Sequence, residues 1–298
     1  MTTLISAEEL AHRLDHATDV RVLDVRWKLG AANGRASYAD AHIPGAVYVD
    51  LDGQLAGHGV PADGRHPLPA LTDFQDAARS WGINDGDTIV VYDDLGNQSA
   101  ARAWWLLRYA GIENVLLLDG ALAAWRRAGL PLESGEVGAI PGTVSLAYGS
   151  MPTLDADSAA ELGRVGLLLD ARAGARFRGE VEPVDPRAGH IPGATSAPSG
   201  DLLDVDGCFL SVEKLRTHFR RLGVKDAVGV YCGSGVTAAH EAAALTIAGY
   251  VPALYPGSWS QWSNLPDRPV ETGDARADAD ADTPAPSAPE AGDSAHRL

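Results

Sequence analysis

One cysteine of this sequence stands in a setting that would make it a nucleophile. Cys232 follows a short apolar run and precedes a stretch in which Ala and Leu recur at helical spacing. The residues between them are Gly233, Ser234, Gly235, Val236 and Thr237. The N–H groups of such a glycine-rich turn form an anion site, and the positive end of the helix dipole adds to it. The pattern predicts a reactive thiolate, or an anionic persulfide, in this loop.

The bulk composition favours a packed protein of two domains. The chain has 298 residues, of which 45% are hydrophobic and 21% charged. Its net charge of −16 argues against nucleic acid and anionic membranes as partners. Two cysteines do not make a disulfide framework or a cysteine-rich zinc site. With no signal-like N-terminus and no long apolar run, the expected location is the cytoplasm, where a thiol stays reduced.

An internal repeat divides the chain into two similar halves. The segment Leu-Asp-Val-Arg at 23–26 recurs as Leu-Asp-Ala-Arg at 169–172, and His-Ile-Pro-Gly-Ala at 42–46 recurs at 190–194. A repeat this long indicates duplicated domains rather than solenoid units. Asp93 occupies in the first copy the place that Cys232 has in the second. The first copy is therefore predicted to be catalytically silent.

Each copy shows strands alternating with helices. The predicted order is strand 88–92, helix 100–110 and strand 115–118 in the first copy, and strand 165–170, strand 227–231, helix 237–248 and strand 251–255 in the second. This alternation predicts an α/β fold with a mostly parallel sheet flanked by helices in each domain. The predicted boundaries are a silent domain over 1–135, a linker over 136–150, a catalytic domain over 151–270 and a disordered acidic tail over 271–298.

The motifs resemble those of a known family. The paired His-Ile-Pro-Gly-Ala segments, the strand–cysteine loop–helix and the stretch Pro-Gly-Ser-Trp at 256–259 resemble the tandem-domain rhodaneses. These are the thiosulfate and 3-mercaptopyruvate sulfurtransferases. The resemblance spans roughly residues 1–270 and implies two rhodanese domains with the active site between them. It also implies that the catalytic cysteine is carried by the second domain alone.

The resemblance assigns expected roles to further residues. It implies that Ser234 works with Asp52 and His66 as a proton relay, although the last two could instead be domain-interface residues. It implies that Arg176 and Arg187 bind the substrate, while the segment 180–187 departs from the family's usual spacing. His42 and His190 occur in both copies, which favours a structural role. Cys208 is expected in a hairpin, and Trp259 either lines the cleft or packs beside it.

The loop composition bears on the sulfur donor. Neutral Gly233 and Ser234 resemble the 3-mercaptopyruvate branch, since thiosulfate enzymes tend to carry basic side chains there. A carboxylate donor would be held by Arg176. The predicted activity moves a sulfur from 3-mercaptopyruvate through a Cys232 persulfide to thioredoxin, a small thiol or cyanide, with no metal or organic cofactor.

Three alternatives remain beside this prediction. The first is a thiosulfate:cyanide sulfurtransferase, and the second is a non-catalytic persulfide carrier. The third is a cysteine phosphatase on a similar fold. A phosphatase needs an arginine six positions after its cysteine, where this chain has Ala238, so the sequence argues against it.

Overall fold

The computed structural model describes residues 2–31, 33–225 and 227–274, which form two α/β domains. The elements of the first domain are β1 Leu4–Ile5, α1 Ala7–His16, β2 Val20–Asp24, α2 Gly34–Asp40, β3 Val47–Tyr48, α3 Leu51–Gln54, α4 Leu71–Ser80, β4 Thr88–Tyr92, α5 Ala100–Tyr109, β5 Val115–Leu118 and α6 Ala121–Arg127. Those of the second are α7 Ala156–Val165, β6 Leu168–Asp170, α8 Gly174–Phe177, β7 Thr195–Ser196, α9 Val212–Arg221, β8 Ala227–Tyr231, α10 Thr237–Ile247, β9 Val251–Leu254 and α11 Ser258–Trp262.

Two parallel sheets form the centres of the domains. The first sheet has the order β1-β5-β4-β2-β3, and the second has the order β7-β6-β8-β9. All strand pairs among the described residues of these sheets are parallel. Helices cover both faces, so the central strands are nearly continuous apolar runs, as in Val115–Leu118 with all four residues buried. The predicted fold class is confirmed.

Most predicted elements occur in the structure, with one clear difference. The strand expected over 165–170 begins only at Leu168. The preceding helix α7 begins at Ala156 and continues to Val165. Its N-cap is Asp155, whose side chain accepts the N–H of Ser158. Val165 is therefore the last residue of an amphipathic helix, and its apolar side chain is exposed rather than part of the sheet.

Helices α5 and α10 pack against each other across the domain boundary. Each helix follows the central strand of its sheet, so the carboxyl ends of β4 and β8 both face this interface. The first turns of both helices are buried and rich in alanine, including Ala100, Ala101, Ala238 and Ala239. Small side chains allow the two helices to approach closely, which brings the loop after β8 against the first domain.

A glutamate closes the His-Ile-Pro-Gly-Ala turn in each domain. Glu133 pairs with the backbone of His42, and Glu271 pairs in the same way with that of His190. The disordered tail predicted from residue 271 therefore does not begin there, because Glu271 is bound to the second domain through both backbone and side chain. The rest of that prediction, from residue 275 onward, lies outside the described residues. No helix in the described ranges is long and apolar enough to cross a bilayer.

Candidate active site

The Cys232 loop holds its sulfur against a backbone donor. Cys232 is buried at the end of β8, and the N–H of Gly235 donates to its Sγ at 3.2 Å. Gly235 has φ of +77°, and a Cβ there would stand 2.5 Å from the carbonyl oxygen of Pro256. Only glycine fits both the backbone angle and the space. The Oγ of Ser258 accepts the N–H of Cys232 at 3.1 Å, which fixes the start of the loop.

Both domains contribute to a cavity of about 310 Å³ over the cysteine. The first domain supplies Trp27, Leu29, Arg65 and Gln98. The second supplies Ala171, Arg172, Ala173, Arg176, Ser199, Cys232, Gly233, Ser234, Val236 and Thr237. A volume of this size suits a small molecule. Of the loop residues predicted to surround the sulfur, all line this cavity except Gly235, whose N–H donates to the sulfur.

The structure brings the three predicted relay residues into one hydrogen-bonded chain. His66 Nδ1 lies 2.8 Å from Ser234 Oγ, and its Nε2 lies 3.1 Å from Asp52 Oδ1. Burial and the charge of Arg102 lower the pKa of His66 to about 4, against the opposing effect of Asp52. The ring is therefore neutral at neutral pH. Nε2–H then donates to Asp52, and Nδ1 accepts the Ser234 hydroxyl proton. The catalytic role of this chain remains a prediction.

Two arginines from different domains converge above Gly233. A Cβ on Gly233 would stand 3.1 Å from Arg65 Nη2 and 3.4 Å from Arg176 Nη1. The other nitrogens of Arg176 are held by acidic side chains: Nε and Nη2 donate to Glu182, and Nη2 also donates to Asp185. Arg65 is paired with the same Asp185. The predicted substrate arginine is thus present in the cavity, but its charge is opposed by two buried carboxylates.

Arg187 lies elsewhere, and its predicted role as a substrate arginine is corrected. Its guanidinium donates to the backbone carbonyls of Trp262, Ser263, Leu265 and Arg268, at 2.7–2.8 Å. It does not line the Cys232 cavity. With Nε, Nη1 and Nη2 all used in this way, Arg187 fastens the chain after α11 to the second domain.

Other candidate residues have structural positions. His42 and His190 are buried and bond through Nδ1 to the carbonyls of Tyr38 and Phe177, on whose rings they stack. Trp259 is fully buried and donates to the carbonyl of Arg187, so it packs beside the site rather than lining it. Cys208 closes the short loop that begins at Asp204, away from the cavity.

Comparison with known proteins agrees with these observations. The model of the rhodanese-like domain matches residues 6–128 and again residues 153–265. The chain belongs to the tandem-domain rhodanese family of sulfurtransferases. The predicted family and enzyme class are thereby confirmed.

Individual relatives align with most of the length of this rhodanese. It is 47% identical over 279 residues to the putative thiosulfate sulfurtransferase SseB of Mycobacterium tuberculosis, covering 91% of this chain and 98% of the relative. It is also 47% identical over 282 residues to a probable 3-mercaptopyruvate sulfurtransferase of Pseudomonas aeruginosa, with the same coverage. The crystal structure of the 3-mercaptopyruvate sulfurtransferase SseA from Escherichia coli superposes with a TM-score of 0.78 at 34% identity, over 87% of this chain and 99% of that one.

The charged residues that sequence reasoning missed at this rhodanese site include Arg65, Arg102, Glu182 and Asp185. Arg65 directly precedes His66, so its position was available as a signal. Glu182 and Asp185 lie in the segment whose spacing departs from the family pattern. Arg102 stands among the buried apolar residues of the first turns of α5, and a charged residue on a buried face is itself a signal of function.

Proposed function

We propose that the protein transfers a sulfur atom from 3-mercaptopyruvate, through a persulfide on Cys232, to a thiol acceptor or cyanide. The observation that carries this proposal is the hydrogen-bonded chain Ser234–His66–Asp52, whose Ser234 lines the same cavity as Cys232. Thioredoxin, a small thiol or cyanide would serve as acceptor, in the reducing cytoplasm. No step in this scheme requires a metal ion or an organic cofactor.

The first half-reaction forms the persulfide. The Cys232 thiolate attacks the donor sulfur, the carbon–sulfur bond breaks, and its electron pair leaves with pyruvate as the enolate. The donor's thiol proton is relayed through the Ser234 hydroxyl, with His66 Nδ1 as the neighbouring base, and reaches the enolate carbon. The anionic outer sulfur remains on Cys232. In the second half-reaction an acceptor thiolate or cyanide attacks that sulfur, and the Cys232 thiolate leaves.

The charges of the cavity favour a donor with one negative charge over a dianion. Arg176 would hold the carboxylate of mercaptopyruvate through Nη1, together with Arg65 Nη2. Glu182 and Asp185 oppose the positive charge of these arginines. Thiosulfate carries two charges and would gain less from this partly neutralised pair. Its reaction also releases sulfite, which needs no proton, so the relay would have no role.

Thiosulfate remains the second candidate donor because the relatives divide between the two. Two proteins that are each 47% identical to this chain carry the two different names. Overall similarity therefore does not choose the donor, and the choice rests on the relay and on the cavity charges.

Measurement of kcat/KM for both donors tests the proposal, with Ser234→Ala and His66→Gln as variants. We expect a higher value for mercaptopyruvate in the native enzyme. Loss of the relay should lower it by roughly 10- to 100-fold for mercaptopyruvate and by less than about 3-fold for thiosulfate. Equal losses with both donors would contradict the relay. Turnover with neither donor would favour a persulfide carrier.

The pH profile offers a further check on His66. Because its pKa is lowered to about 4, the neutral form that accepts the Ser234 proton persists down to that pH. The mercaptopyruvate rate should therefore lack a step near pH 6.5, and the contribution of the relay should be lost only as the pH falls through about 4. A step near 6.5 that disappears in His66→Gln would contradict the assignment.

A further inference from the structure

A buried arginine of the first domain contacts the cysteine loop. Arg102 stands on α5 and is fully buried. Its Nη1 donates to the carbonyl of Gly235 at 3.2 Å, and its Nη2 donates to the carbonyl of His66 at 2.9 Å. Its Nε donates to the carbonyl of Leu55 at 3.2 Å. One guanidinium thus joins the cysteine loop, the segment that carries His66 and the end of α3 across the domain interface.

Arg102 differs from the arginines of the cavity in having no carboxylate partner among the described residues. Arg65 is paired with Asp185, Arg172 with Asp170 and Glu182, and Arg176 with Glu182 and Asp185. A buried charge without an opposite charge is costly, since carbonyl dipoles replace hydration only in part. Burial lowers the pKa of Arg102 to about 10, which still leaves it protonated at neutral pH.

Two groups near Arg102 could carry the opposing charge. They are Cys232 and Tyr148, the two groups whose ionised forms interact with it. Burial raises the pKa of Tyr148 to about 12, and its hydroxyl donates to the carbonyl of Pro69. Tyr148 is therefore neutral at neutral pH. The remaining group is the sulfur of Cys232, which the proposed reaction uses as a thiolate before donor attack and as a persulfide anion after it.

The contact with Gly235 adds a geometric role to the electrostatic one. Gly235 presents its N–H to the sulfur of Cys232 and its carbonyl to Arg102. Its left-handed backbone angle has no side-chain packing to hold it, so the bond from Arg102 to the following peptide group restrains the turn that presents this N–H. Lysine could supply the charge in this place, but it lacks the planar fork that reaches three carbonyls at once.

We propose that Arg102 is a positioning residue and the counter-charge for the anionic sulfur of Cys232, so that the silent domain supplies the cation that the catalytic loop lacks. This inference rests on the proposed role of Cys232 as the sulfur carrier. It assigns the first domain a part in the reaction besides the relay: stabilising the thiolate and the persulfide from outside the residues that line the cavity.

The test compares Arg102→Gln and Arg102→Lys with Arg187→Gln, all in a Cys208→Ser background that leaves one cysteine. The rate of Cys232 alkylation by iodoacetamide is measured against pH, together with kcat, KM and thermal stability. Arg102→Gln should move the alkylation midpoint upward by about one pH unit and lower kcat about 10- to 100-fold, with donor KM changed less than about 3-fold. Arg102→Lys should leave the alkylation midpoint close to that of the parent but should lower kcat, because lysine restores the charge without the planar guanidinium.

Arg187→Gln is the matched control, since it removes an arginine that also bonds only to backbone carbonyls. It should lower the melting temperature without moving the alkylation midpoint. A second readout is the titration of the His66 ring by NMR, whose midpoint should rise in Arg102→Gln because a neighbouring positive charge is lost. Should Arg102→Gln not fold, Arg102→Lys still tests the geometry through kcat.

Three results would overturn the inference. They are an alkylation midpoint in folded Arg102→Gln equal to that of the parent, an equal shift in Arg187→Gln, and an unchanged kcat in Arg102→Lys. Alkylation does not depend on donor turnover. A parent enzyme that alkylates as expected but forms no persulfide would therefore refute the proposed function and leave the assignment of Arg102 standing.

Discussion

The loops that follow β4 and β8 both connect a strand to a helix and form an anion site, but the two sites are used differently. In the first domain the anion site is filled by the chain itself. Asp93 is fully buried, and its Oδ1 accepts the N–H groups of Leu95 and Asn97 at 2.8 Å each. Its Oδ2 accepts the N–H and hydroxyl of Ser99 and the N–H of Ala100, at 2.8–3.1 Å. Burial raises the pKa of Asp93, and these N–H donors oppose the rise.

In the second domain the same position leaves the anion site open. The loop is two residues shorter, with 232–236 between β8 and α10 against 93–99 between β4 and α5. The sulfur of Cys232 accepts one hydrogen bond from the described residues, from Gly235. The difference indicates that the anion site filled by Asp93 stabilises the fold, whereas the open anion site at Cys232 has room for the outer sulfur of a persulfide. Of the two duplicated loops, one is therefore filled by its own aspartate, and the other borders the cavity.

Exchange of the two residues tests this comparison with the largest expected effect. Cys232→Ser should lower turnover by at least about 10³-fold, because no other group forms the covalent intermediate. Adding Asp93→Cys to that variant should restore nothing, since position 93 is fully buried and does not line the cavity that contains Arg176. Steady-state assays and mass measurement after donor addition check this. Recovered turnover in the double variant would show that the first loop is not closed.

Loss of the buried carboxylate should affect stability next most strongly. Asp93→Ala removes the acceptor for four N–H groups and one hydroxyl, and all of these hydrogen bonds except that from Leu95 are buried. We expect the free energy of unfolding to fall by about 2–4 kcal/mol. Asp94→Ala, at the exposed neighbouring position, is the control and should change it by less than about 0.5 kcal/mol. Equal losses for Asp93→Ala and Asp94→Ala in denaturant titrations would argue against an anion site stabilised by Asp93.

The smallest expected effect concerns the charges around the open loop. Glu182→Gln removes one of the carboxylates that oppose Arg176, so the cavity becomes more positive. The KM for thiosulfate should fall about 3- to 10-fold, and the KM for mercaptopyruvate by less, because a dianion gains twice from the same change in potential. Glu180→Gln on the same segment, whose partner Arg178 lies at the surface, should change neither. A larger gain for mercaptopyruvate would contradict the charge argument.

The sequence allowed the fold and the centre of the site to be predicted because both depend on local patterns. Buried strands, a glycine-rich turn and a duplicated motif are visible along the chain, and they led to Cys232 and to the prediction that the first copy, with Asp93, is silent. Ser234, His66 and Asp52 came from resemblance, and the structure places them in contact. Their roles remain predictions until the variants are assayed.

The surroundings of the site could not be predicted because they depend on contacts between distant segments. Arg102 meets Gly235 only because α5 packs on α10. Arg187 matched the expected motif, yet the chain after α11 folds back and occupies its guanidinium with carbonyls. Glu182 reaches Arg176 through an irregular segment that has no periodic pattern. Long-range packing, rather than local preference, decides each of these positions.

The most direct test of the account is the intact mass of the protein after a single addition of 3-mercaptopyruvate without acceptor. The parent enzyme should gain the mass of one sulfur atom and lose it again when a thiol is added. Cys232→Ser should gain nothing, whereas Cys208→Ser should behave like the parent. A gain that persists in Cys232→Ser, or no gain in the parent with either donor, would contradict the central claim that the open loop carries the transferred sulfur.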